Sequence, residues 1–243
     1  MQEKPVKFLA CGDTALVVEF GDEIDRALSD RVLGLDARLR AASLPGVVES
    51  VPTFRSLMVH YDPLKTNAVA LTAGIRALLA GELASDRVRR LWRIPVCYEG
   101  ELAPDLADVA ERTGLAVDRV VTLHAETRYH VYMIGFLPGY PYMGDLAPPL
   151  VLPRRSDPRT RVPPGSVSIA TTMTAIYPVE SPGGWHLIGT TPIRIFDLAL
   201  SPPALLAPGD AVEFVRIDRD AFLRIRAESE RGRYRLQHQD LAA

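Results

Sequence analysis

From Tyr129 onward, short β-like runs alternate with proline and glycine, and this punctuation limits what the second half of the chain can fold into. The runs Tyr129–Ile134, Val167–Ile169, Ala175–Tyr177, His186–Ile188, Ile193–Phe196 and Ala211–Val215 are too short for helices. They predict strands joined by tight turns in a closed or sandwiched β unit. The stretch Pro138–Pro164 holds eight prolines and little periodicity, more than a connector in a compact domain needs. Proline fixes φ, so this stretch is either a rigid wall for a ligand or partner, or a stiff surface excursion.

The first half has a different grammar. Val6–Leu9 and Ala15–Val18 flank Gly12-Asp13 and read as a hairpin. Ile24, Leu28, Val32, Leu35 and Leu39 recur at the helical period until Pro45-Gly46. Val47–Thr53 and Leu57–Tyr61 make a second strand pair, followed by an apolar-rich helix over Ala68–Leu79, so the order is ββαββα. A charged connector then predicts a boundary between a domain of residues 1–86 and one of residues 87–243. The second opens with a strand over Leu91–Tyr98 and two short helices, at about residues 104–113 and 117–124. The charge-rich segment Asp218–Arg233 reads as a solvated helix.

Composition excludes several classes. With 47% hydrophobic and 24% charged residues the chain lies in the globular range. A net charge of −2 gives no general attraction to nucleic acid or anionic lipid. No apolar run reaches the roughly 18 residues of a membrane span, and the charged start Met1–Pro5 lacks the apolar core of a secretion signal. The expected location is the cytoplasm. Cys11 and Cys97 have no CxxC spacing and read as small core residues, so no metal site is expected.

The chemistry-bearing residues gather between His124 and Asp197. Phe136, Tyr140 and Tyr142 sit among residues that turn the backbone, and either line a pocket or plug the end of a barrel. Arg154, Arg155, Arg159 and Arg161 place four guanidinium groups in eight residues, a natural carboxylate or phosphate site or a solvated surface run. Gly183-Gly184 can present N–H groups to an anion, or make a hairpin turn. His124 is the acid–base candidate, or a structural histidine. No HExxH, Walker A, GxGxxG or Ser-His-Asp pattern is present, so the chain carries no self-evident stand-alone active site.

Three long motifs are specific enough to identify a family. They are Tyr129-His130-Val131-Tyr132-Met133-Ile134-Gly135-Phe136-Leu137-Pro138-Gly139-Tyr140-Pro141-Tyr142, then Pro158-Arg159-Thr160-Arg161-Val162-Pro163-Pro164-Gly165-Ser166-Val167, and Ser181-Pro182-Gly183-Gly184-Trp185-His186-Leu187-Ile188-Gly189. Together with Ile176-Tyr177-Pro178, Gly12-Asp13-Thr14-Ala15-Leu16 and Tyr61-Asp62-Pro63 they resemble the B subunit of the bacterial ATP-dependent 5-oxoprolinase. The family is also called allophanate hydrolase subunit 1, or kinase A inhibitor (KipI).

The resemblance implies an α+β chain with a ferredoxin-like ββαββα domain followed by a cyclophilin-like β-barrel. The partners it implies are a paralogous C subunit (KipA-like) together with the A subunit of 5-oxoprolinase. The implied activity opens 5-oxo-L-proline to L-glutamate, with ATP and Mg2+ used by the assembled complex, no cofactor intrinsic to this chain and no activity alone. Related readings are a urea- or allophanate-processing subunit, or, as the KipI name implies, an inhibitor docking on a sensor histidine kinase. The expected site has His124 as acid–base group and Tyr142, Arg159, Arg161, Thr174, Tyr177, Ser181, Gly183 and Gly184 as substrate-binding residues. Met173 and Thr190 stand where the family usually has glutamine and arginine, so the motifs leave the substrate itself unfixed.

Overall fold

Side-chain caps fix where the helices of the first half begin. The computed structural model of the chain describes residues 5–81, 83 and 88–241. Strands β1 (Lys7–Cys11) and β2 (Ala15–Glu19) form the expected hairpin, with Gly12 at φ +62° in its turn. Helix α1 (Arg26–Ala42) starts where the Asp25 carboxylate accepts from the Leu28 N–H. Ile24, expected on the apolar face of this helix, lies before the cap and is exposed. Strands β3 (Val47–Pro52) and β4 (Ser56–Tyr61) lead to α2 (Ala68–Leu78), whose Asn67 cap accepts from the N–H groups of Val69 and Ala70.

The antiparallel sheet has the order β1-β2-β4-β3. It is the ferredoxin-like arrangement with one change: β1 occupies the edge beside β2 that the last strand of a βαββαβ chain would fill. Leu16, Val18, Leu57 and Val59 from the sheet bury against Val32, Leu35, Leu39, Leu71 and Ile75 from the helices. This unit ends at Val88 and the second runs Arg89–Leu241. The boundary expected between residues 86 and 87 falls outside the described residues.

The second unit is built on β5 (Arg89–Cys97), followed by helices α3 (Leu106–Thr113) and α4 (Val117–Ala125). Gly114, at φ +68°, closes α3. Strands β6 (Tyr129–Ile134), β7 (Pro141–Gly144), β8 (Arg159–Val162), β9 (Ser166–Ala170), β10 (Met173–Ile176), β11 (Ser181–Gly183), β12 (His186–Thr190) and β13 (Ala211–Ile217) follow. Seven of these strands close into a barrel in the order β12-β9-β10-β7-β6-β13-β5, sealed where Thr190 of β12 meets Cys97 of β5. All pairs are antiparallel except β13 with β5. Closure leaves no edge within the ring, and Ile94, Val96, Val109, Val120, Val131, Ile169 and Phe214 are among the residues of its core.

Four features depart from the sequence reading. The proline-rich stretch is not structureless: β7 and β8 lie within it, with Pro141 at the first position of β7, where the missing N–H is tolerated. Ile193–Phe196 forms no strand beyond a single bridge from Phe196 to Ala204. Cys11 is exposed rather than buried, whereas Cys97 is fully buried. The charged helix is α5 (Arg219–Glu230), and after it β14 (His238–Leu241) pairs with the start of β5. Among the described residues no helix is long and apolar enough to cross a membrane.

Candidate functional site

A two-stranded ribbon, β8 with β11, carries much of the family-like motif. Ser181 faces Val162 and Gly183 faces Arg159, with a bulge between them. Gly183 is there because of Tyr177: a Cβ on Gly183 would lie 2.2 Å from the Tyr177 hydroxyl oxygen. Gly184 serves the neighbouring segment, its carbonyl accepting the Arg155 N–H at 2.8 Å, and a Cβ there would meet Pro158. A Cβ is therefore excluded at Gly183, whereas one at Gly184 would make ordinary contact.

Beneath the ribbon lies a cluster of edge-to-face rings. Tyr140 stands 5.0 Å from Tyr142, 5.1 Å from Tyr177 and 6.3 Å from Trp185 between ring centroids. Such pairs add roughly 0.5–1.5 kcal/mol each beyond area burial. Tyr140, Tyr177 and Trp185 are buried, Tyr142 is half-buried, and Phe136, edge-on to Tyr140, is 63% exposed. Tyr140 and Tyr177 are thus buried outside the barrel core, while Tyr142 and Phe136 reach the surface. Burial pushes the hydroxyls of Tyr140, Tyr142 and Tyr177 up, so all three remain protonated at neutral pH.

The tightness at Gly183 gives a direct test. Gly183→Ala should destabilise the barrel unit by about 1–3 kcal/mol through overpacking, and Tyr177→Phe in the same chain should recover part of the loss. Urea denaturation of the single and double variants measures both; an unchanged midpoint for Gly183→Ala contradicts the contact.

The arginines divide by partner. Arg155 and Arg159 both bond Asp105 Oδ1, at 3.2 and 2.6 Å. Asp105 precedes α3, is almost fully buried, and takes the Leu187 N–H on its other oxygen. One carboxylate therefore ties together the start of α3, strand β12 and the arginine-bearing segment. Arg161 pairs with Glu180 at 2.6 Å, on an exposed part of the ribbon. Arg154 has no carboxylate partner among the described residues, and its guanidinium carbon lies 5.9 Å from the Trp185 ring centroid. Arg159 Nη1 and Ser181 Oγ are buried without a protein hydrogen-bond partner.

His124 is not placed for acid–base chemistry. It is fully buried at the end of α4, stacked at 4.7 Å on Phe214. Thr174 Oγ1 donates to the Ser168 carbonyl and so accepts from His124 Nε2, at 2.9 Å. His124 Nδ1 in turn accepts from the Tyr98 hydroxyl at 2.9 Å. Burial lowers its pKa to about 3, so the ring is neutral. Strand β9 separates it from the tyrosines: Val167 and Ile169 enter the barrel core, while Ser168 between them faces Tyr140.

The structure thus brings Tyr142, Tyr177, Arg159, Ser181, Gly183 and Gly184 together around the ribbon. Arg161 lies on the ribbon's exposed side, and His124 and Thr174 lie in the barrel interior. Thr190, at the position where the family usually has arginine, donates its hydroxyl to the Leu102 carbonyl at 2.7 Å. Sequence reasoning missed Asp105, which read only as a helix start. It also did not separate Arg154 from its three neighbours, because only their partners, contributed from elsewhere in the chain, distinguish them.

The similarity to known proteins extends over parts of both units. Residues 6–206 match the family described as carboxyltransferase domain, subdomain C and D. The chain is 38% identical to the B subunit of 5-oxoprolinase from Bacillus subtilis strain 168 over 230 residues, 90% of this chain and 95% of the relative. It is similar to the crystal structure of TTHA0988, with a TM-score of 0.76 at 37% identity, over 84% of this chain but only 40% of that one. The K. lactis urea amidolyase shares the fold, with a TM-score of 0.81 at 22% identity, over 99% of this chain and 17% of that one.

Proposed function

Since the chain belongs to the carboxyltransferase subdomain C and D family, together with the 5-oxoprolinase B subunits, we propose that it is the B subunit of an ATP-dependent 5-oxoprolinase. In this reading it acts in the cytoplasm with two partners, a paralogous C subunit plus an A subunit. It opens 5-oxo-L-proline to L-glutamate within that assembly, and is inactive alone. The observation that carries the reading is the 38% identity to a named B subunit over nearly the full length of both chains.

The chemistry explains why ATP is needed. Amide resonance makes the lactam carbonyl carbon a poor electrophile. Transfer of a phosphoryl group from ATP to the lactam oxygen activates the carbon, water adds there, the C–N bond breaks as the nitrogen takes a proton to leave an acyl phosphate, and a second water releases phosphate and the carboxylate. In this reading ATP is used by the assembled complex. What this chain would supply is a half-buried aromatic face with cationic side chains beside it.

The test is purification of the tagged chain from its own organism, identification of what accompanies it by mass spectrometry, and assay of the assembly for ATP turnover. The expected result is ATP hydrolysis stimulated by 5-oxo-L-proline in the complex and absent from the isolated chain. A complete three-protein complex that hydrolyses no ATP on 5-oxo-L-proline defeats the proposal. Met173 and Thr190 leave the substrate unfixed by the motifs, and the same assay scores the related substrates urea and allophanate.

A further inference from the structure

Three of the four clustered arginines are paired with carboxylates of the fold. Arg155 and Arg159 share Asp105, and Arg161 is held by Glu180. Arg154 alone of the four has no carboxylate partner among the described residues, although it is the one placed against the aromatic cluster.

Its backbone is fixed on both sides. The Thr171 N–H donates to the Leu152 carbonyl at 2.6 Å, and the Arg155 N–H donates to the Gly184 carbonyl at 2.8 Å. His186 Nε2 bonds the Pro153 carbonyl at 3.0 Å. The chain therefore presents Arg154 from an immobilised segment, while the guanidinium itself is left exposed over Trp185. Its positive charge also reaches the hydroxyls of Tyr142 and Tyr177 and favours negative charge there. A fixed backbone, an uncommitted fork of donors and an adjoining half-buried ring match a small cyclic acid, with its carboxylate on the guanidinium and its ring against Tyr142 and Trp185.

We propose that Arg154 is the residue that binds the substrate's carboxylate. The inference rests on the 5-oxoprolinase reading and deepens it by assigning the anion contact to Arg154 rather than to Arg159 or Arg161.

Two measurements test it. In the assembled complex, Arg154→Gln should raise KM for 5-oxo-L-proline by about tenfold or more with a smaller change in kcat, and Arg154→Lys should recover part of the loss. An unchanged KM in a working complex overturns the assignment and leaves the enzyme reading intact. The full-length chain is also titrated by NMR with 5-oxo-L-proline and with 2-pyrrolidinone, which lacks the carboxylate. The indole N–H of Trp185 should shift saturably with the acid only, the shift should vanish in Arg154→Gln, and Trp92 is the internal reference. A wild-type complex without turnover defeats the enzyme reading, while the titration still decides the anion site. Equal response to both compounds, or no response, overturns it.

Discussion

Replacing Asp105 with alanine should lower the unfolding free energy of the barrel unit by about 3 kcal/mol. The substitution leaves three donors without an acceptor: the Leu187 N–H, Arg155 Nη1 and Arg159 Nη2. Breaking a fully buried ion pair by removing one partner costs roughly 3–5 kcal/mol. The two arginines here are 27% and 25% exposed, so water recovers part of the loss and the lower end applies. Asp105→Asn keeps an oxygen for the Leu187 N–H but loses the charge, and should cost about half as much. Both tryptophans, Trp92 and Trp185, lie in this unit. Urea unfolding followed by tryptophan emission therefore reads it selectively. A midpoint for Asp105→Ala equal to that of the wild type contradicts the bracing role.

The second large effect is a pH dependence from His124. Its folded pKa is lowered to about 3 by burial, against about 6.5 in an unfolded chain. Above pH 6.5 the ring is neutral in both states and contributes nothing to the slope. As pH falls from 6.5 toward 3, the unfolded chain takes up a proton that the folded chain refuses. Stability is therefore lost on acidification through that window, by about 1.4 kcal/mol per pH unit and on the order of 5 kcal/mol over the whole of it. Between pH 6.5 and 5 few carboxylates titrate, so the histidine dominates there. His124→Gln can still donate to Thr174 and accept from Tyr98, and should flatten the slope by one proton. An identical slope in the variant would place the acid sensitivity elsewhere.

The same residue shows where sequence reasoning reached its limit. The helix that ends beside His124 was legible in the sequence at about residues 117–124, but the ring's neighbours Tyr98, Thr174 and Phe214 come from the residue after β5, from β10 and from β13. Only barrel closure brings them together, and closure rests on pairings such as Thr190 with Cys97 that no local pattern encodes. The strands were visible as short apolar runs, and β6 falls on its expected residues. By contrast β14 was invisible, because its sequence His238-Gln239-Asp240-Leu241 has no alternation and gains its place from the partner strand. At the ribbon, the glycines and aromatics were recognisable as a cluster. Their roles were not, since Gly183 is explained only by the Tyr177 hydroxyl 2.2 Å from where its Cβ would be.

The arginine run teaches the same lesson in electrostatics. Four like charges within eight residues suggest an anion site, but two acidic residues distant in sequence from their arginines, Asp105 and Glu180, hold three of them in ion pairs. What remains outside those pairs is the Arg154 guanidinium at an aromatic face, a narrower device than the sequence implied.

The account stands most directly on the formation of L-glutamate from 5-oxo-L-proline and ATP by the assembled complex, compared with the same partners lacking this chain. The predicted result is glutamate release that requires this chain, ATP and the partners together. Glutamate release at an undiminished rate without this chain, or none in the complete assembly, would contradict the central claim.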